Sequence, residues 1–200
     1  MANLEPLRRE DLPQYEPMFS LMEERAGFVP NAFLTMARRP GMLDALQALI
    51  QEVFAGSVSR ETKSLVALMS SYGAGCRYCQ AHQAASLVHQ GMSPEKFEAI
   101  ADFERSDLFT DAQRAAMRLA FASGQQPNAV TKAHFEALHD HYDDAEIVEI
   151  VGVVAMFGFL NRWHETLSTE LEDAPLGIAA RSLGGLDWEP GRHAPDRPTG

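Results

Sequence analysis

Apolar side chains recur along this chain at intervals of three and four residues, the spacing that gathers them on one side of an α-helix. The clearest series is Met42, Leu43, Leu46, Leu49, Ile50, Val53 and Phe54, opened by Pro40 and closed by Gly56. Leu65, Val66, Leu68 and Met69 form the next, with Ser59 placed to cap it and Glu61 in its first turn. Pro13 to Ala26 is helix-like and stops near Gly27, and Pro30-Asn31 opens a short turn or helix. Gly73 and Gly75 break the chain before Cys76. Cys76 to Gln90 reads as a helix ending at Gly91, and Ser93-Pro94 starts another short one. Thr110-x-x-Gln113 and Asp143-x-x-Glu146 are capping boxes, the first for a helix ending near Gly124, the second for a long one to about Leu171. Thr131 caps a helix over 132–142. Strand punctuation is scarce and no internal repeat is visible.

Ile150 to Leu160 is apolar on every side, which predicts a helix at the centre of a bundle or at a subunit interface. It is too short for the roughly 20 residues that cross a bilayer. From Asp173 the chain turns rich in Pro, Gly and Ala, and Leu183, Leu186 and Trp188 are the expected anchors of a partly ordered tail. One helical domain over residues 1–172 followed by a tail over 173–200 is therefore expected. The length of 200 residues and an apolar content of 46% suit one real core. A net charge of −11 argues against nucleic acid and anionic membrane as partners. The N-terminus lacks the basic start and apolar stretch of a signal peptide, so a soluble, cytoplasmic protein is expected. Two cysteines three apart are no framework for a secreted fold. In a reducing compartment such a pair is more often catalytic, redox-sensing or metal-binding.

The candidate chemistry lies in Tyr72-Gly-Ala-Gly-Cys76-Arg-Tyr78-Cys79-Gln-Ala-His82-Gln83. Cysteines at i and i+3 share a helix face and can close a disulfide with little backbone movement. Cys76 sits at the helix N-terminus, where free N–H groups and the dipole favour a thiolate, and Arg77 adds positive charge. His82, one turn past Cys79, can donate to a sulfur anion or take its proton. A thiolate, a resolving thiol and a base are the parts for peroxide reduction or thiol–disulfide exchange.

Gly-Cys76-x-Tyr78-Cys79-x-Ala-His82 after an apolar helix resembles the core of the alkylhydroperoxidase D / carboxymuconolactone decarboxylase family. Gly27-Phe-Val-Pro30-Asn31 and Phe157-Gly-Phe-Leu-Asn161-Arg162-Trp163 are similar to segments of it, so the resemblance covers about residues 20–170. It implies an all-α, AhpD-like helical bundle built as a homo-oligomer: a dimer, trimer or hexamer. It implies that Cys79 attacks the peroxide and Cys76 resolves the sulfenate, against the dipole argument, which favours Cys76. The expected substrate is a small hydroperoxide or disulfide, with an external thiol as reductant and no cofactor or metal. Where peroxidase members of the family carry a relay Glu and His, this chain has Ser64 and Gln83. Glu61, one turn before Ser64, and His82, beside Gln83, are the candidate substitutes, although one residue turns a side chain by about 100° on a helix.

Other residues have plainer readings. Tyr72 and Tyr78 are expected to wall the site. Asn161, Arg162, His164 and Glu165 are expected at an exposed helix end or in inter-subunit ion pairs, the alternative being that Arg162 or His164 reaches the cysteines. His134, His139 and His141 read as a solvated turn, and His89 as a surface residue. A zinc site would need both cysteines, His82 and a distant histidine. The other functional classes are a decarboxylase-like lyase or isomerase, which needs no redox pair, and a non-enzymatic redox-sensing or structural oligomer.

Overall fold

The computed structural model describes residues 2–196, and no strand occurs among them. Ten α-helices follow one another: α1 (Glu16–Ala26), α2 (Asn31–Met36), α3 (Pro40–Phe54), α4 (Arg60–Ala74), α5 (Arg77–His89), α6 (Pro94–Glu98), α7 (Asp111–Gly124), α8 (Lys132–His139), α9 (Asp144–Leu167) and α10 (Asp173–Ser182). The fold is an all-α bundle. No helix among the described residues is long and apolar enough to cross a membrane.

The caps lie where the sequence puts them. Ser59 Oγ accepts from the Thr62 N–H at 3.1 Å, and both Thr110/Gln113 and Asp143/Glu146 close reciprocal capping boxes. Two ends differ from expectation. α8 stops at His139, and α9 stops at Leu167 rather than near Leu171 because Ser168 turns left-handed at φ 49°. That reversal throws the chain back across the bundle, which matters for the site.

α4 is the hub. Residues Thr62 to Ser71 are all buried, with α5, α7 and α9 packed around them. α4 and α7 approach so closely that a Cβ at Gly73 would run into the Phe121 carbonyl, and one at Gly124 into the Ser70 carbonyl. Gly124→Ala is therefore expected to destabilise the fold by about 1–3 kcal/mol or more, although alanine is the better helix former. Gly41→Ala, which meets nothing within 4 Å, serves as the control and should stay within about 0.5 kcal/mol in the same urea titration.

α9 is not buried all round in the single chain. Ile150, Val153, Met156 and Phe157 face the core, while Val148, Val151 and Phe159 are exposed. The C-terminal segment is docked. Leu183, Leu186 and Trp188 are buried as expected, and α10 lies against α5.

Candidate active site around the cysteine pair

Gly75 ends α4 in the left-handed region at φ 76°, and the chain re-enters a helix at once with Cys76 as N-cap of α5. This tight link places Cys76 and Cys79 in the middle of the bundle. Both thiols are free and buried, and Cys76 is near enough to help raise the Cys79 thiol. Their surroundings differ. Cys79 lines an apolar cavity of about 170 Å³ with Phe33, Ile50, Phe54, Phe157 and Leu160, whereas Cys76 does not reach it. Burial pushes the Cys79 thiol well above its ordinary pKa, and the neighbouring Cys76 adds to the rise. A base has to take its proton when it reacts.

One wall of that cavity is an aromatic stack. The Tyr78 ring lies between His82 and His164, with centroids 4.3 and 4.2 Å away. Glu172, the N-cap of α10, ties the stack down. Its carboxylate accepts from Tyr78 Oη at 2.9 Å, from His82 Nε2 at 2.8 Å and from the Asn31 N–H at 2.5 Å. Burial alone would raise the Glu172 carboxyl, but the charge and hydrogen bond of His82 bring it below the usual range. Burial and the same carboxylate push the Tyr78 phenol up, so it stays a donor. Burial, with the charges of His82 and His193, pushes His164 well below its usual value and keeps it neutral. Its Nδ1 faces Thr169 Oγ1 at 3.1 Å.

Behind Cys76 lies a second group. Donor atoms of Cys76, Glu165 and His193 all fall within 4.8 Å of one another. His193 is fully buried, with Nε2 at 2.8 Å from Glu165 Oε1 and Nδ1 at 2.8 Å from the Thr169 carbonyl. These three side chains could ligate a cation, but Glu165 and His193 already satisfy each other, and an ion would have to break that bond.

The comparisons with known proteins agree with this architecture. The carboxymuconolactone decarboxylase family model matches residues 40–122. The debrominase Bmp8 has a solved structure that is 35% identical, with a TM-score of 0.82 over 89% of this chain and 96% of its own. The chain belongs to the carboxymuconolactone decarboxylase/AhpD-like family. A cysteine-to-alanine variant of Bmp8, solved in complex with 2,3,4-tribromopyrrole, matches equally well, at 35% identity over 88% of this chain and 95% of that one. An uncharacterized peroxidase-related protein with an AhpD core from Ralstonia eutropha JMP134 shares the fold, at 24% identity and a TM-score of 0.75 over 87% of this chain and 94% of its own. The uncharacterized protein YnjA of Escherichia coli K12 is 23% identical over 141 residues, 70% of this chain and 73% of its own. At the family level, the function is a redox or lyase chemistry.

Within that family frame, the residues singled out from the sequence divide. Cys76, Cys79, Tyr78 and His82 come together. Glu61 does not: its carboxylate pairs with Lys96 Nζ at 2.6 Å, and it does not line the Cys79 cavity. Ser64, at the family's acid position, is buried and its Oγ accepts from Gln90 Nε2 at 2.9 Å. Tyr72 packs against Phe121 with centroids 5.7 Å apart, away from the Cys79 cavity. Arg162 lines a different cavity, beside Glu165. The polar end of α9 is not the exposed cluster expected, since Asn161 and His164 are buried.

Glu172, Thr169 and His193 were not among the expected site residues. Glu172 and Thr169 carry no sequence signal, and His193 only its place in a Pro-rich segment five residues past Trp188. His134, His139 and His141 are on the surface or nearly so, as expected, and His89 is exposed.

Proposed function

We propose that this chain is a thiol-dependent oxidoreductase in which Cys79 attacks a small apolar organic hydroperoxide and Cys76 resolves the product. The observation that carries this reading is the division of labour in the pair: Cys79 opens on an apolar cavity, and Cys76 lies behind it. The size of about 170 Å³ suits one small ring, since a cavity of about 150 Å³ holds benzene. Gln83 also lines it, and its side-chain oxygen has no partner among the described residues, so it is the group on offer to a substrate O–H or N–H.

In the first half-reaction the Cys79 sulfur bonds to the distal peroxide oxygen and the O–O bond breaks. The alcohol leaves with a proton, and His82 and neutral His164 are the groups on the cavity wall able to pass it. The Cys76 sulfur then displaces water from the Cys79 sulfenic acid, giving the Cys76–Cys79 disulfide. Two equivalents of an external thiol restore the pair.

A second reading rests on the 35% identity to a debrominase. There the Cys79 sulfur takes bromine from an aromatic carbon, which receives a proton instead. Cys76 then displaces bromide to form the same disulfide. The net reaction consumes two thiols and gives a C–H bond, bromide and a proton. Tyr78, His82 and His164 supply the flat wall for such a ring.

The test is consumption of cumene hydroperoxide, and bromide release from 2,3,4-tribromopyrrole, with dithiothreitol as reductant. Wild type is expected to turn over at least one of them, and Cys79→Ser to lose at least a hundredfold. Equal rates in the two proteins would remove the redox reading. Loss of two thiols once, without turnover, would make it a sensor. A homo-oligomer belongs to this reading, with the exposed Val148, Val151 and Phe159 of α9 as its contact face. Light scattering at one chain mass would contradict it.

A further inference from the structure

The redox pair has a front and a back. Substrate meets Cys79 at the front. At the back, Cys76 meets Glu165, and beyond Glu165 lies a second cavity of about 600 Å³, lined by Ser70, Asn161, Arg162 and Glu165 among others. Ser70 Oγ and both polar atoms of the Asn161 side chain are buried there without a protein partner. Buried polar groups of this kind call for water. The geometry points to Glu165, held by His193 of the C-terminal segment, as the proton acceptor for the resolving Cys76, with this cavity and its unpartnered polar groups as the outlet to solvent. The inference rests on the redox reading of the cysteine pair, whatever the substrate.

The hydrogen bonds fix the protonation pattern. The Thr169 carbonyl can only accept, so Nδ1 of His193 carries a hydrogen. An ionised Glu165 can only accept, so Nε2 donates to it. Burial pushes the Glu165 carboxyl up, but His193 and Arg192 outweigh it and hold it below the usual range. Its second oxygen lies 3.5 Å from Arg192 Nε. An anion is thus present near the Cys76 thiol, with Arg192 and His193 behind it.

The step balances as follows. The Cys76 thiol gives its proton to the Glu165 carboxylate. The Cys76 sulfur bonds to the Cys79 sulfur, and the S–O bond of the sulfenic acid breaks. Hydroxide leaves and, through water, takes up the proton that Glu165 releases. One thiol and one sulfenic acid become one disulfide and one water. Glu165, within 4.8 Å of the reacting sulfur, is the acceptor in this step, whereas His193 is a positioning residue.

Glu165→Gln removes the acceptor. His193→Asn places an amide N–H near Nδ1, keeping the bond to Thr169 and the docking of the segment while losing the partner of Glu165. Both are treated with excess hydrogen peroxide, quenched at intervals, trapped with dimedone and weighed by mass spectrometry. Peroxide oxidises a thiolate chemically whether or not it is the natural substrate. A protein with no hydroperoxide or bromopyrrole turnover therefore still reports on the disulfide step.

Oxidation of Cys79 should stay within about twofold of wild type in both variants. Disulfide formation should slow at least tenfold, since a general base contributes about 10²–10⁴-fold, and trapped sulfenate should accumulate on Cys79. A merely structural role would not separate the two steps. Disulfide formation at the wild-type rate in both variants, or equal slowing of both steps, overturns the assignment. If Glu165→Gln does not fold, His193→Asn decides on the same readout.

Discussion

Cys76→Ser is expected to consume one equivalent of substrate at the wild-type rate and then stall. Cys79 lines the substrate cavity and Cys76 does not, so the first bond-making step should not miss the second sulfur. Its removal also takes away a neighbour that helps hold the Cys79 thiol up, which leaves the first step no slower. The second step is different. An oriented intramolecular group acts at an effective concentration on the order of 10⁵ M or more, and an external thiol at millimolar levels cannot replace it. Steady-state turnover should therefore fall by two or more orders of magnitude, while rapid-quench sampling shows a full first equivalent. Mass spectrometry should find the modified sulfur on Cys79. Loss of the first equivalent would reverse the roles of the two cysteines and revive the helix-dipole argument for Cys76.

How far the sequence could be read depends on how local each feature is. Caps and capping boxes act within four residues, so Ser59, Thr110 and Asp143 marked the starts of α4, α7 and α9 correctly. The C-x-x-C pair is equally local: Cys76 caps α5 and Cys79 lies in its first turn. Period alone did not place Glu61 at the Cys79 cavity. One turn earlier along α4 is already the end beside α6, where Lys96 takes the carboxylate. Glu172 and His193 were out of reach for another reason. They arrive at the cysteines only because Ser168 reverses the chain after α9 and the segment beyond it crosses the bundle. No pattern in a single sequence records a meeting of residues 90 positions apart, such as His82 and Glu172.

The largest loss of stability is expected from a site remote from catalysis. Lys63 is fully buried in α4, and its ammonium is 2.7 Å from Glu149 Oε2 of α9, with the Ala55 carbonyl as a further acceptor. The Glu149 carboxylate also accepts the N–H groups of Ser57 and Val58, at 3.0 and 3.1 Å. Partial burial pushes this carboxyl up, but Lys63 and the two N–H groups outweigh it and bring its pKa down to about 2. Glu149→Ala leaves a buried ammonium without its anion, a loss of about 3–5 kcal/mol against a typical total of about 5–15. The sign with pH follows from the depressed pKa. In the unfolded chain a Glu titrates near about 4.3, so the contribution is complete above that pH and fades as pH falls towards about 2. The gap between wild type and Glu149→Ala in urea unfolding should thus be constant from neutral pH to about pH 5 and narrow below pH 4. Replacing both partners, Lys63→Met with Glu149→Leu, should recover most of the loss, because no charge is then left buried alone. A single-variant loss under about 1 kcal/mol would mean that Lys63 finds water or another partner when Glu149 is gone, and the tie between α4 and α9 would then rest on apolar packing alone.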